Sequence, residues 1–154
     1  MPARQQPFKA AGHGASGDHR AAMIECAIES EPRFSVERCE LDRPGPSYTV
    51  DTLRHLRARE PGAEFVLLIG SDAAADLPEW RESGRIPELA RVVVFGRAGA
   101  PALDGAGAVP VPAIEISATE IRRRVREGRS IRWWVPAAVA EYIAARRLYL
   151  DGEG

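Results

Sequence analysis

Four short segments of the 154-residue chain carry residue types whose spacing suits chemistry. In the first, Gly70-Ser71-Asp72 ends an apolar run and leads through Leu77-Pro78 to Trp80. Open α/β sheets bind ligands at the carboxyl ends of their strands. Gly70 would let a ligand approach the backbone there, Asp72 would accept hydrogen bonds from ribose hydroxyls, and Trp80 would offer a flat face to an aromatic ring. The second segment is Ser117-Ala118-Thr119-Glu120-Ile121-Arg122. A helix start with two hydroxyls and unpaired N–H groups suits an anion. Arg122, three residues after Thr119, shares its helix face and could clamp a phosphate. The third, Ser47-Tyr48-Thr49-Val50-Asp51-Thr52-Leu53, is another helix start whose hydroxyls and N–H groups would suit a carboxylate. The fourth is Pro7-Phe8-Lys9, which holds the only lysine among 21 basic residues. Each segment also has a purely structural reading: an N-cap, a core tryptophan, a solvated basic face, a solvated lysine. Spacing alone leaves both open.

The elements that must position these residues follow from apolar periodicity. A helix is expected from Asp18 to about Ser30, with Ala22, Met23, Cys26 and Ala27 on one face and Pro32 beyond its end. A short strand through Phe34, Val36 and Cys39 or Leu41 should follow, then a turn at Arg43–Pro46. Ser47 to Glu60 reads as a helix with Val50, Leu53 and Leu56 inward, closed by Pro61-Gly62. Phe65–Ile69 reads as a strand buried on both faces, and Val92–Phe95 as a second buried strand ending at Gly96. Between them, helical residues are expected after Asp72, with Trp80 on a helix. A loop over Ala98–Pro110 should precede a last strand at Ile114 and Ile116. Ser117-Ala118-Thr119-Glu120 is a capping box for a helix that stops at Gly128, and a final helix starts at Pro136 with Val139, Tyr142 and Ile143 inward. Strands alternating with helices give an α/β fold, a doubly wound parallel sheet in a single domain over 1–154.

Composition narrows the classes further. Hydrophobic residues at 45% and charged residues at 28% fit a folded globular chain. A net charge of −1 excludes a protein built to coat nucleic acid or an anionic membrane. The longest apolar runs are too short to span a bilayer. No signal sequence opens the chain, which points to the cytoplasm. Cys26 and Cys39 make no C-x-x-C pattern and should be free thiols, and His13, His19 and His55 show no metal-ligand spacing.

Taken in order, Gln6-Pro7-Phe8-Lys9, Arg20-x-x-Met23, Ser47–Leu53, Gly70-x-Asp72 with Leu77-Pro78-x-Trp80, Ile116-Ser117-x-Thr119-x-Ile121-Arg122, Gly128-x-x-Ile131-Arg132 and Val135-Pro136 resemble bacterial nicotinate-nucleotide adenylyltransferases. These belong to the nucleotidylyltransferase superfamily. The closing Tyr142-Ile143 and Leu148-Tyr149 also fit. The resemblance implies a Rossmann-like fold and transfer of the adenylyl group of ATP to nicotinate mononucleotide, giving deamido-NAD and pyrophosphate. It implies Mg2+ arriving with ATP instead of a protein metal site. It further implies that Trp80 stacks on the pyridine ring, Thr49 binds its carboxylate and Asp72 holds ribose. Gly70, Ser117, Thr119 and Arg122 would face ATP, with Arg122 and Lys9 meeting charge on the phosphates. Neither nucleic acid nor membrane is an expected partner.

One departure stands out. The family opens with a strand, a Gly-x-Phe-Asp-Pro-x-His-x-Gly-His turn, a helix and a second strand, and this first β-α-β unit is missing here. Met1-Pro2-Ala3 falls where the family reads Val-Pro-Ala. The expectation is therefore that this start is an artefact of the gene model, a GTG valine codon having been taken for an initiator and translated as Met1. As written, the chain should be inactive alone, and an exposed sheet edge should make it unstable or oligomeric. Two alternatives follow: a sister enzyme acting on another phosphate substrate such as phosphopantetheine, or a non-catalytic nucleotide-binding module.

Overall fold

The computed structural model describes residues 1–7, 14–96, 109–111 and 114–150. The chain divides into two compact units, Tyr48–Ile114 and a second formed from Met1–Ser47 with Glu115–Gly154.

The Tyr48–Ile114 unit is a parallel α/β layer. Helix α3 (Thr49–Arg59) leads to strand β1 (Val66–Gly70), the short helices α4 (Ser71–Ala75) and α5 (Ile86–Leu89), strand β2 (Arg91–Gly96) and strand β3 (Val109–Pro110). The strand order is β1-β2-β3, all parallel, with Ile69 opposite Val94 and Gly70 opposite Phe95. The expected α/β class with a parallel sheet is what forms. Val50, Leu53, Ile86 and Ala90 make the core, with Tyr48, Phe65, Leu67, Leu77 and Trp80 packed on it. The strand residues alternate: Ile69 is buried, whereas Val66 and Leu68 are exposed. Burial of β1 on both faces is thus corrected, because only its odd-numbered side chains reach the core.

In the other unit, α1 (Gly17–Ile28), α6 (Ala118–Arg126) and α7 (Ala137–Ala145) surround Ile131, Val139 and Ile143. His19 Nδ1 and the Tyr142 hydroxyl, on α1 and α7, are 2.9 Å apart. The expected helices form here with small shifts. Ser16 caps α1 where Asp18 was expected, its Oγ accepting from the His19 N–H at 3.2 Å. Pro136 precedes α7 where it was expected as the first helical residue. Gly128 closes α6 at φ +65°, a left-handed conformation that glycine adopts at little cost.

Two expected strands are absent from the described residues. Residues 34–38 have no regular structure, and Cys39–Asp42 is the single helical turn α2, with the Cys39 N–H bonded to the Glu37 carboxylate at 2.9 Å. Ile114 and Ile116 lie in irregular chain, exposed, while the third strand forms earlier, at Val109–Pro110 within the expected loop. In both cases isolated apolar residues found no ladder partner, and strand pairing rests on long-range hydrogen bonds more than on local preference. Residues 97–108, the bulk of that loop, lie outside the described residues.

Candidate functional site

Two clusters emerge, one in each unit. In the Tyr48–Ile114 unit, β1 ends at Gly70 and α4 begins at once, so Gly70 and not Asp72 caps that helix. Asp72 sits exposed in its first turn. A Cβ on Gly70 would lie 2.5 Å from Asp72 Oδ1, so glycine makes the room that the carboxylate occupies. Both stand at the carboxyl edge of a parallel sheet, where α/β proteins place ligands.

Trp80 follows a 3-10 turn, Leu77–Glu79, and has extended backbone. Its expected place on a helix is corrected: Pro78 sits second in the turn, and the Trp80 N–H bonds to the Leu77 carbonyl at 3.1 Å, closing it. The indole is half-buried against the Val50–Leu53–Ile86 core. Its neighbour Arg81 lies 4.8 Å above the Tyr48 ring and reaches Asp51 at 3.4 Å. The segment 80–81 therefore crosses the first turn of α3, which begins at Thr49. No side chain caps that turn, so its first N–H groups are available to an acceptor. Sequence spacing did not place Arg81 in this cluster; only the fold brings positions 48, 51 and 81 together.

In the other unit, Ser117 caps α6, accepting from the Glu120 N–H at 3.1 Å. The second half of the expected capping box is replaced: the Glu120 carboxylate pairs with Arg123 at 2.8 Å, which holds it below the usual carboxylate range. Arg122 Nη2 donates to Thr119 Oγ1 at 3.3 Å, as the three-residue spacing requires. Neighbouring arginines are otherwise engaged, Arg123 with Glu120 and Glu127 and Arg124 over the Trp134 ring at 4.5 Å. Among the described residues Arg122 forms no ion pair.

Arg122 and Ala118 instead line a cleft of about 520 Å³ together with Gln6, Arg20, Met23 and Tyr149. Arg20 donates to the Ala3 carbonyl at 2.7 Å. Its Nε and the Gln6 Oε1 are buried without a partner, an arrangement that normally has an explanation in a ligand or water. Burial raises the Tyr149 phenol above its ordinary value, against the pull of Arg122 and Arg20. Arg20 and Tyr149 were not among the residues assigned to a site from sequence. Their only signal there was their place in the Arg20-x-x-Met23 and Leu148-Tyr149 patterns. Lys9 lies outside the described residues.

Among the described residues, no group of three His, Cys, Asp or Glu side chains could hold a metal, and no helix is long and apolar enough to cross a membrane. Cys26 and Cys39 are free thiols.

A parallel sheet with a glycine-ended strand in one unit and a capped helix carrying Arg122 in the other make this an α/β protein. Residues 1–124 match the cytidylyltransferase-like family, which fixes the class. A protein of Thermus thermophilus named "Probable nicotinate-nucleotide adenylyltransferase" is 49% identical over 138 residues, covering 88% of this chain and 74% of that protein. A protein of the same name from Thermomicrobium roseum is 43% identical over 162 residues, 97% of this chain and 75% of that protein. The solved Plasmodium falciparum nicotinic acid mononucleotide adenylyltransferase complexed with NaAD superposes with a TM-score of 0.71 at 17% identity, over 95% of this chain and 78% of that one, a likeness of fold. The chain belongs to the nicotinate-nucleotide adenylyltransferase family, whose members are transferases.

Proposed function

We propose that the protein transfers the adenylyl group of ATP to nicotinate mononucleotide, a step of NAD biosynthesis in the cytoplasm. The observation that carries this is the 49% identity over 88% of the chain to a relative bearing that name. The two clusters divide the work in a way that supports it. In this reading Trp80 stacks on the pyridine ring, the first turn of α3 with Thr49 receives its carboxylate, and Asp72, in the room left by Gly70, binds ribose. Ser117, Thr119 and Arg122 take the ATP phosphates, and Lys9 a phosphate of either substrate. Mg2+ bound with ATP would supply screening of the phosphate charge, which Arg122 and Lys9 would share.

The nucleotide phosphate is itself the nucleophile: its oxygen attacks the α-phosphorus of ATP, the bond to the β-phosphate oxygen breaks, and pyrophosphate leaves with the electron pair. No covalent enzyme intermediate is needed. Catalysis then rests on aligning the two reactants and on stabilising charge around the phosphorus. Arg122 suits the second task because no carboxylate among the described residues competes for its guanidinium, so its donors remain for phosphate oxygens.

The test is pyrophosphate release from Mg-ATP plus nicotinate mononucleotide, measured for residues 1–154 and for the chain extended upstream of Met1 in its gene. Release that depends on the acid nucleotide, in either form, supports the reading. Absence of release in both overturns the transferase reading, and nucleotide binding without release would favour a non-catalytic binding module.

A further inference from the structure

We infer that Arg81, balanced by Asp51, makes this site prefer a pyridine carboxylate over the corresponding carboxamide. The inference rests on the proposed function, in that it assumes a pyridine nucleotide at Thr49 and Trp80. Thr49 alone does not discriminate the two. Its hydroxyl both donates and accepts, so it can pair with a carboxylate oxygen or with an amide group. Backbone N–H groups of the α3 first turn likewise meet an oxygen acceptor in either ligand. What differs between the ligands is one negative charge, and only a charge on the protein reads that strongly.

Four charged side chains lie at this place. Arg54 is taken by Glu82, with contacts of 3.0 and 2.6 Å, and lies 3.7 Å from Asp51. Arg81 is held more loosely, by the Tyr48 ring at 4.8 Å and by one contact to Asp51 at 3.4 Å. A guanidinium has five N–H donors in a planar fork, so this one keeps donors for an incoming carboxylate. Tyr48 and Asp51 flank Thr49 in sequence and Trp80 precedes Arg81, so the cation stands over the helix turn that would receive the ligand. Removing Arg81 would leave Asp51 with Arg54 as its counter-charge, itself shared with Glu82, so that the acid meets a less neutralised carboxylate. Removing the Asp51 charge would leave Arg81 less neutralised and the acid more favoured. The two substitutions are therefore expected to act in opposite directions.

The experiment is calorimetric titration of the full chain with nicotinate mononucleotide and with nicotinamide mononucleotide, taking the ratio of the two affinities. With one charge a few ångströms from the ligand at a half-solvated site, Arg81→Gln should lower the acid-over-amide ratio about tenfold. Arg81→Lys should retain the preference, Asp51→Asn should raise it, and added salt should shrink it. A wild type that prefers the acid while Arg81→Gln leaves the ratio unchanged overturns the inference and leaves the proposed function standing. A wild type that binds neither nucleotide overturns both. If Arg81→Gln fails to fold by circular dichroism, Asp51→Asn decides: an unchanged or lower ratio overturns the inference.

Discussion

Within Tyr48–Ile114, the core side chains Val50, Leu53, Ile86 and Ala90 come from elements close in sequence, and the layer is completed by parallel strand pairing. In the unit made from Met1–Ser47 and Glu115–Gly154, α1 and α7 are joined across more than a hundred residues, and arginine side chains bind backbone carbonyls: Arg4 that of Leu41, Arg20 that of Ala3, Arg124 that of Ser130. Both units pair an apolar core with polar ties, Arg57 to the Leu89 carbonyl and Arg54 to Glu82 in the sheet unit, but the His19–Tyr142 contact of the helical unit joins the two ends of the chain. Their candidate ligand groups differ as well. The sheet unit presents an aromatic face, a carboxylate and uncapped N–H groups, and the helical unit guanidinium groups and hydroxyls. The proposed division between ring and phosphate recognition is drawn from that difference.

The comparison breaks most visibly at the cores. Ile86 has no solvent exposure, so Ile86→Ala should cost about 2–5 kcal/mol, read as a lowered denaturation midpoint. A loss well under that range would mean the sheet unit does not depend on this packing. Binding sharpens the division next. Trp80→Ala should weaken nicotinate mononucleotide by roughly 1–3 kcal/mol, by analogy with base–aromatic stacks. It should leave ATP affinity nearly unchanged, and an equal loss for both ligands would contradict separate sites. In the helical unit, Ser117→Ala removes the α6 cap and should cost about 1 kcal/mol in thermal stability, while Ser117→Asn keeps most of it.

The smallest effect concerns acid. Hydrogen bonds from Arg54 and Arg123 hold the Glu82 and Glu120 carboxyls below their ordinary value. Folding then favours the ionised form, so this stability is fully present above the unfolded carboxyl pKa and fades as pH falls through the depressed folded values. Because these groups are largely open to solvent, the change in melting temperature should be small and should diminish further in high salt. Glu82→Gln and Glu120→Gln should each flatten the acid limb; a wild-type slope unchanged in both variants would remove these pairs as its cause.

What could be read from residues alone was mostly local. Ser117 and Gly128 bracket α6 because a side-chain oxygen and a left-handed glycine each satisfy helix-end groups from within a few residues. The runs Phe65–Ile69 and Val92–Phe95 became strands because no helix-capping signal competes with them and each ends at a glycine. The short apolar pairs at 34–36 and 114–116 misled, since their only strand signal was alternation over three residues.

The sequence by itself determined the ends of α6 and the Thr119–Arg122 pair, set by hydrogen bonds and sterics that reach no further than about one helical turn, and marked the two main parallel strands by their apolar runs. Tertiary structure alone decided the rest. It turned one face of β1 outward, gave the third strand to Val109–Pro110, drew Arg20 and Tyr149 into the cleft beside Arg122, and set Arg81 over the start of α3. These depend on which distant surfaces meet, and the free energy of such contacts is settled by burial and charge pairing between segments that no local pattern connects.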